Sequence, residues 1–380
     1  STGTFDKSFS TDGWLKQGLT VGSTTVSGML PVSLNVLGNG DIMVVGTYYD
    51  HVSATQTIGL FVAKYDSTGA PKTAFGTNGV VLTNYNTIDT STNWLYNTPV
   101  IHYAPSSGNI YAYYGINGEN IIRLNPNGTA DLTFGSTGLY RGLYSATPLY
   151  NNGSGVNADV KVKGFTVDES ATPPTATFYG VDSSTNPVKS SAVMYRLKFG
   201  ATASGTHRLA ELDTSQSWTS VVNGATSTTA GYSRVDLGGF GYTAGSVAFS
   251  SANFAYLIAQ ISSSTMKVVA FDPSQRTPYI AFGTNGVKDI TAQGFGTIAS
   301  LDVVGTGPDK IMVTGTDSNY KVRLAKYSQT DGSLIPEFGT SGVATLTTCT
   351  GFHTISAIAV TTNGDIAISG ATTGGSTASP

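Results

Sequence analysis

The side chains able to do acid–base or metal chemistry are few and scattered. The histidines, His51, His102, His207 and His353, include no pair at metal-ligand spacing, and no Gly-x-Ser-x-Gly elbow presents a serine nucleophile. The glutamates are Glu119, Glu169, Glu211 and Glu337; Glu169 adjoins Asp168 in a long segment between Asn151 and Ser190. Glycoside hydrolysis needs two carboxylates about 5–10 Å apart, and no spacing in the chain assembles such a pair. Cys349 is the sole cysteine, so an intramolecular disulfide is excluded and a small buried residue is expected. Asp66-Ser67-Thr68-Gly69 and Asn125-Pro126-Asn127-Gly128 hold oxygen ligands but lack the twelve-residue calcium-loop pattern. Hairpin-turn chemistry accounts for both. No cofactor is expected, with structural calcium left open.

Aromatic residues are the better candidates for binding. Tyr48 and Tyr49 precede Asp50-His51, and Trp94, Tyr96, Tyr140 and Tyr144 fall at loop-like positions. Exposed rings of this kind stack on sugars, the common way a neutral site holds carbohydrate. The competing use is packing between structural units.

Composition narrows the classes. The 380 residues carry 20 Lys+Arg against 23 Asp+Glu, a formal charge of −3, so there is no basic excess to neutralise phosphates and nucleic acid is not an expected partner. Twenty Tyr and 16 Phe supply enough apolar area to argue against disorder. No apolar run approaches the roughly 18 residues of a membrane helix. The chain opens at Ser1 with no charged segment leading into an apolar one, as a processed exported protein would. With 11% charged residues and 46 Gly, it reads as secreted or surface-exposed, on a cell surface, an extracellular appendage or a virion. Asn127-Gly128-Thr129 and Asn152-Gly153-Ser154 match the glycosylation sequon, which matters in a glycosylating host.

The elements that position these residues are set by a repeat. Phe75-Gly76-Thr77-Asn78-Gly79-Val80 returns as Phe134-Gly135-Ser136-Thr137-Gly138-Leu139, Phe282-Gly283-Thr284-Asn285-Gly286-Val287 and Phe338-Gly339-Thr340-Ser341-Gly342-Val343. A diverged copy starts at Phe9, and a degraded one lies near Trp218. A second phrase, Gly40-Asp41-Ile42-Met43-Val44-Val45-Gly46, has relatives at Gly108, Asp309 and Gly364 and weaker ones at Thr175 and Asn253. Each is a turn signal followed by a β-branched or aromatic run. A third, Phe61-Val62-Ala63-Lys64-Tyr65, ends in an Asx-Gly turn, the mark of a hairpin. The unit is strand, hairpin, strand, turn, strand, with no helical stretch.

Such units repeated about six times predict an all-β chain forming a single β-propeller of four-stranded blades, or seven blades if the region from Tyr140 to Trp218 hides another. The approximate units are 15–80, 81–139, 140–220 (diverged, with an insertion), 221–287, 288–343, and 344–380 together with 1–14. The recurring Phe should pack between neighbouring blades, and Gly79, Gly138, Gly286 and Gly342 should sit in tight turns with positive φ. The segments LNPNGTADLTFGSTGL and KYDSTGAPKTAFGTNGV resemble the delta-60 repeat family of bacterial secreted and surface proteins. The resemblance implies a repeat propeller and no reaction.

Residues 2–9 align without gaps on residues 127–134, so the first and last segments are expected to share one blade and close the ring. Where blade two has Ile121-Ile122-Arg123-Leu124, the joined ends offer Gly374-Gly375-Ser376-Thr377-Ala378, leaving that blade a strand short and open to self-association or a partner subunit. The leading function is a non-catalytic structural or adhesion module. The alternative is a carbohydrate- or receptor-binding propeller of a bacterial or viral attachment protein. A glycan lyase or hydrolase stands third.

Overall fold

A computed structural model describes residues 10, 20–21, 24–25, 28–50, 57–84, 99–115, 119–135, 139–141, 160–182, 190–204, 207–222, 224–239, 241–261, 265–304, 310–350, 352–360 and 366–372. These residues are all-β, with no α-helix and one 3-10 turn at Thr291–Gln293. The chain divides into two compact units, the first of residues 1–149, 165–177 and 196–213 and the second of residues 150–164, 178–195 and 214–380.

In the first unit, β1 (Thr20–Val21) and β2 (Thr24–Thr25) make a short antiparallel pair. Then β3 (Gly28–Val36), β4 (Ile42–Asp50), β5 (Thr57–Tyr65) and β6 (Val80–Asn84) form an antiparallel sheet in chain order. The next four, β7 (Val100–Tyr103), β8 (Ile110–Gly115), β9 (Glu119–Leu124) and β10 (Leu139–Arg141), repeat the order. Both faces of the first sheet are apolar. Met43, Val45, Leu60 and Val62 pack on Ile101, Ile110, Ala112 and Leu124 of the second sheet, while Tyr48, Phe61, Ala63 and Tyr65 form a cluster of their own.

The middle of the chain departs from the pattern. β11 (Val160–Asp168) and β12 (Thr175–Asp182) form a hairpin. The 14-residue β13 (Ser191–Ser204) follows; its C-terminal part pairs with β14 (His207–Leu212), which lies parallel to β10. In the second unit, β15 (Ser217–Val222) and β16 (Ala225–Ala230) form an extra hairpin, and β17 (Tyr232–Asp236) pairs with the N-terminal part of β13.

Regular order resumes with β18 (Thr243–Phe249), β19 (Ala255–Ile261), β20 (Thr265–Asp272), β21 (Thr277–Pro278) and β22 (Val287–Asp289). Next come β23 (Thr297–Val304), β24 (Lys310–Thr316), β25 (Lys321–Ser328) and β26 (Val343–Thr350), and then the pair β27 (Phe352–Val360) and β28 (Ile366–Thr372). In β19, Ala255, Leu257 and Ala259 face Tyr179, Met194 and Trp218, whereas Tyr256 and Ile258 face Ile311 and Val313. The two-residue period of a strand thus supplies each sheet with two buried faces.

The expected count of six four-stranded units is not supported. Four groups of strands follow the meander: β3–β6, β7–β10 at one end of a larger sheet, β18–β20 with β22, and β23–β26. Elsewhere two features override the repeat. One is a strand long enough to take different partners at its two ends; the other is the β15–β16 hairpin, which straddles the boundary drawn at residue 220. The expected joining of the chain ends falls on residues 1–9 and 373–380, outside the described residues.

The Phe-Gly-x-x-Gly phrase is a tight turn. Thr77 and Val80 exchange backbone hydrogen bonds across Asn78 (φ 54°) and Gly79 (φ 89°), a type I′ geometry, and Asn285-Gly286 and Ser341-Gly342 do the same. The first glycine is constrained as well: a Cβ on Gly76 would lie 2.3 Å from the Val80 carbonyl oxygen. Its N–H ties one unit to the hairpin turn of the next. Gly76 donates to Asn127 O (2.7 Å) and Gly283 to Asp331 O (3.0 Å), as Ser10 of the diverged copy does to Thr68 O (2.9 Å). The Phe ring lies against the glycine of that following turn: a Cβ on Gly128 would sit 3.0 Å from Phe75, and one on Gly332 3.1 Å from Phe282. Phe75, Phe134 and Phe282 are buried, and Phe338 is half-buried.

Candidate functional site

Two places gather polar side chains, and they behave differently. In the first unit Tyr111 on β8 is fully buried and donates to Glu169 Oε1 at 2.7 Å, where Asn109 Nδ2 also donates at 3.0 Å; Ser106 Oγ donates to Oε2 at 3.3 Å. Opposite Tyr111, Arg123 on β9 holds Asp131 through Nε (2.8 Å) and Nη2 (2.6 Å), and its guanidinium lies 4.8 Å over the Phe134 ring. Burial opposes the Glu169 charge, but the donors Asn109, Tyr111, Ser107 and Ser106 outweigh it and hold the carboxyl below its usual range. Burial pushes the Tyr111 phenol up to about 12, with Arg123 pulling the other way and Glu169 reinforcing the rise. Nearby, burial lowers His102 to about 4, against the pull of Glu169.

A tyrosine nucleophile needs access and a lowered pKa. Tyr111 has neither, and a neutral His102 offers no proton at pH 7. The network is a polar tie within the first unit. Asp41 behaves alike in the first sheet. Burial disfavours its charge, but Asn39, Lys72 and Lys64 hold it below the usual range, with Lys64 at 3.3 Å and Lys72 at 3.2 Å.

The second place is a cleft of about 310 Å³ within the second unit. Its apolar lining is Val221, Val235, Leu237 and Val287, and its polar lining is Asp236, Lys267, Thr284, Asn285 and Asp289. β20 and β22 place Lys267 directly across from Asp289, an opposite-charge pair on neighbouring strands. Lys267 Nζ donates to the Leu237 carbonyl and lies 5.7 Å over the Tyr242 ring. Asp289 accepts the Thr291 N–H at 2.9 Å; burial opposes its charge, but this bond, the Thr291 hydroxyl, Lys267 and Lys288 keep its carboxyl below the usual range. Asn285 reaches the cleft because the type I′ turn thrusts it outward at φ 55°. An apolar floor with a rim of acceptors and donors suits a hydroxylated ligand.

The aromatic candidates read from sequence do not assemble here. Tyr48 is on β4, not in a loop, and is buried, its ring covering Gly59 on β5, where a Cβ would lie 2.4 Å from Tyr48 Cε1. A cross-strand aromatic over a glycine is a packing device. Tyr49 and Tyr140 lie on β4 and β10, with their side chains outside the described part. His51, Trp94, Tyr96, Tyr144, Phe9 and Gly138 fall outside the described residues. Sequence reasoning missed Lys267, Asp236 and Asp289, since a Lys and an Asp 22 positions apart carry no signal until strand pairing sets them opposite each other. The usable hint was that Asp289 closely follows a repeat phrase.

No family model matches the chain, and no curated protein matches it. Among solved structures it is similar to a protein of unknown function from Bacteroides caccae, at 8% identity over 84% of this chain and 88% of that one, with a TM-score of 0.39. It is also similar to the intramolecular trans-sialidase from Ruminococcus gnavus, at 11% identity over 90% and 89% with a TM-score of 0.36. The NanB sialidase from Streptococcus pneumoniae gives 11% identity, 89% of this chain and a TM-score of 0.35, and the chain spans 54% of its length. Similarity at this level transfers no residue, substrate or reaction.

Proposed function

We propose that the chain is a non-catalytic β-propeller whose repeat sheets are blades, serving as a structural or adhesion module of a secreted or surface-exposed assembly. The supporting observation is how its charges are used. Asp41 with Lys64 and Lys72, Arg123 with Asp131, and Glu169 with Tyr111 all join parts of the repeat scaffold. The resemblance of the phrase to delta-60 repeats of bacterial surface proteins points the same way. Protease shaving of intact source cells, followed by electron microscopy of the released material, tests this reading. Peptides from the chain in the shaved fraction and a particle larger than one copy support it. Retention of the chain inside the cell overturns it.

A second reading, carbohydrate binding, rests on the Lys267 cleft. A glycan array followed by calorimetry would show a ligand whose affinity falls at least about tenfold in Lys267→Ala, the loss of one charge-assisted contact, with the strand content by circular dichroism retained. Glycan binding that Lys267→Ala leaves intact would remove the cleft from consideration.

A further inference from the structure

The β15–β16 hairpin is the main element that the repeat does not explain, and its outer strand stands at the end of its sheet. β16 pairs with β15 over its whole length, from Ser217↔Ala230 to Val222↔Ala225, without a bulge. Among the described residues it has no strand on its other side. Gly224 (φ 75°) and Gly231 (φ 80°) bound it sharply. Ala225, Thr226, Ser227, Thr228 and Ala230 are exposed, and Thr229 is half-buried.

Edge strands of monomeric proteins carry defences: a lysine, a proline, a bulge or an inward charge, because the unpaired N–H and C=O groups otherwise template pairing with another chain. β16, Ala-Thr-Ser-Thr-Thr-Ala, has none of these. The strand behind it is anchored: Trp218 and Val221 of β15 are buried in the core with Met194 and Val235. An undefended edge on a rigid backing is a preorganised docking strand.

Its composition selects the occupant. An antiparallel two-fold pairing must be centred on a residue, so that outward-facing backbone groups meet outward-facing ones. Centred on Thr228, it sets Thr226 against Ala230 and Ser227 against Thr229 of the other copy. Centred on Ser227, it sets Thr226 against Thr228 and Ala225 against Thr229. Either register opposes only Ala, Ser and Thr, with no like charges facing and hydroxyl pairs that favour the ladder. The strand carries no charge with which to select a different partner. We propose that β16 is a homotypic docking edge, and that two copies of this chain join by antiparallel addition of β16 to β16 about a two-fold axis.

Sedimentation of the whole chain over a concentration series tests the assignment, with Thr226→Lys/Thr228→Lys as the probe. The expected result is a monomer–dimer equilibrium for the wild type. The double variant should weaken it at least about tenfold, because like charges then face each other across the axis, while its thermal midpoint stays unchanged. Hydrogen exchange supplies a readout independent of the variant: amides of residues 225–230 should gain protection as wild-type concentration rises. A wild type that remains monomeric into the high-micromolar range overturns the proposal, as does a dimer indifferent to both lysines or without added protection at β16.

Discussion

The sheet of β7–β10 and the sheet of β18–β22 answer one structural problem in two ways. Strand pairing puts Tyr111 opposite Arg123 in one and Tyr256 opposite Ala270 in the other, and in both the tyrosine meets the recurring Phe edge-on, at 5.6 Å to Phe134 and 5.5 Å to Phe282. Around Tyr111 the partners are charged: Arg123 pairs with Asp131, and the Tyr111 hydroxyl donates to the Glu169 carboxylate. Around Tyr256 the partners are neutral. An alanine replaces the arginine, and the Tyr256 hydroxyl donates to the backbone and side-chain oxygens of Gln329 at 3.3 and 3.4 Å. A third sheet mixes the two, with Lys326 lying 5.6 Å over a half-buried Phe338. The lesson is that the repeat conserves ring geometry and leaves the electrostatics to be balanced locally, since a buried charge is tolerated only with its partner.

If ring geometry dominates, the recurring Phe should show the largest effect. Phe134→Ala and Phe282→Ala are each expected to cost about 3–5 kcal/mol in urea unfolding, and Phe338→Ala clearly less because its ring is half-exposed. Equal losses at all three would mean that burial is not what distinguishes these sites.

Acid should act on His102 and Asp302 with opposite sign. Burial lowers His102 to about 4, so its neutral form is favoured in the fold. The stability it contributes is present above its unfolded value near 6.5 and is lost as pH falls towards 4, by up to about 3 kcal/mol. Asp302 on β23 accepts the Val360 N–H at 2.7 Å and the Val303 N–H at 2.8 Å, yet burial pushes its carboxyl up to about 6. Its contribution is present below 3.8 and is lost as pH rises through 6, on the order of 1–3 kcal/mol. Asp302→Asn keeps an acceptor without the charge, so it should raise stability at pH 8 and flatten that limb. A variant no more stable at pH 8 than at pH 4, relative to wild type, would contradict the shift.

The tyrosine hydroxyls measure the charged solution against the neutral one. Tyr111→Phe removes one donor from the charged Glu169 carboxylate and should cost about 1.5–3 kcal/mol; Tyr256→Phe loses a neutral bond and should cost about 0.5–1.5 kcal/mol. The turn of the β18–β22 sheet sets two neighbouring positions apart, and its asparagine carries the smallest effect. Gly286→Ala forces a Cβ onto φ 84° and should cost about 1–2 kcal/mol, while Asn285→Gly on its neighbour should stay within about 1 kcal/mol.

What the chain's sequence determined by itself was local. The Asn-Gly and Ser-Gly pairs at 78–79, 285–286 and 341–342 demand two successive positive φ angles, and a type I′ turn follows from sterics within a few residues. The alternation of Ala255, Leu257 and Ala259 with Tyr256 and Ile258 likewise contains a strand buried on both faces. The position of the recurring Phe was legible for the same reason, since the turn fixes its direction. Tertiary structure decided the rest. It brought Glu169 to Tyr111 across 58 residues, set Lys267 opposite Asp289, buried Tyr48 over Gly59 and left β16 at an edge. It also broke the repeat between residues 160 and 236, where a 14-residue strand pairs with β14 at one end and β17 at the other. Periodicity specifies which way a side chain points along its own strand. Which strand lies alongside is settled by the competition among all the faces that must be buried at once, and that competition has no local signature.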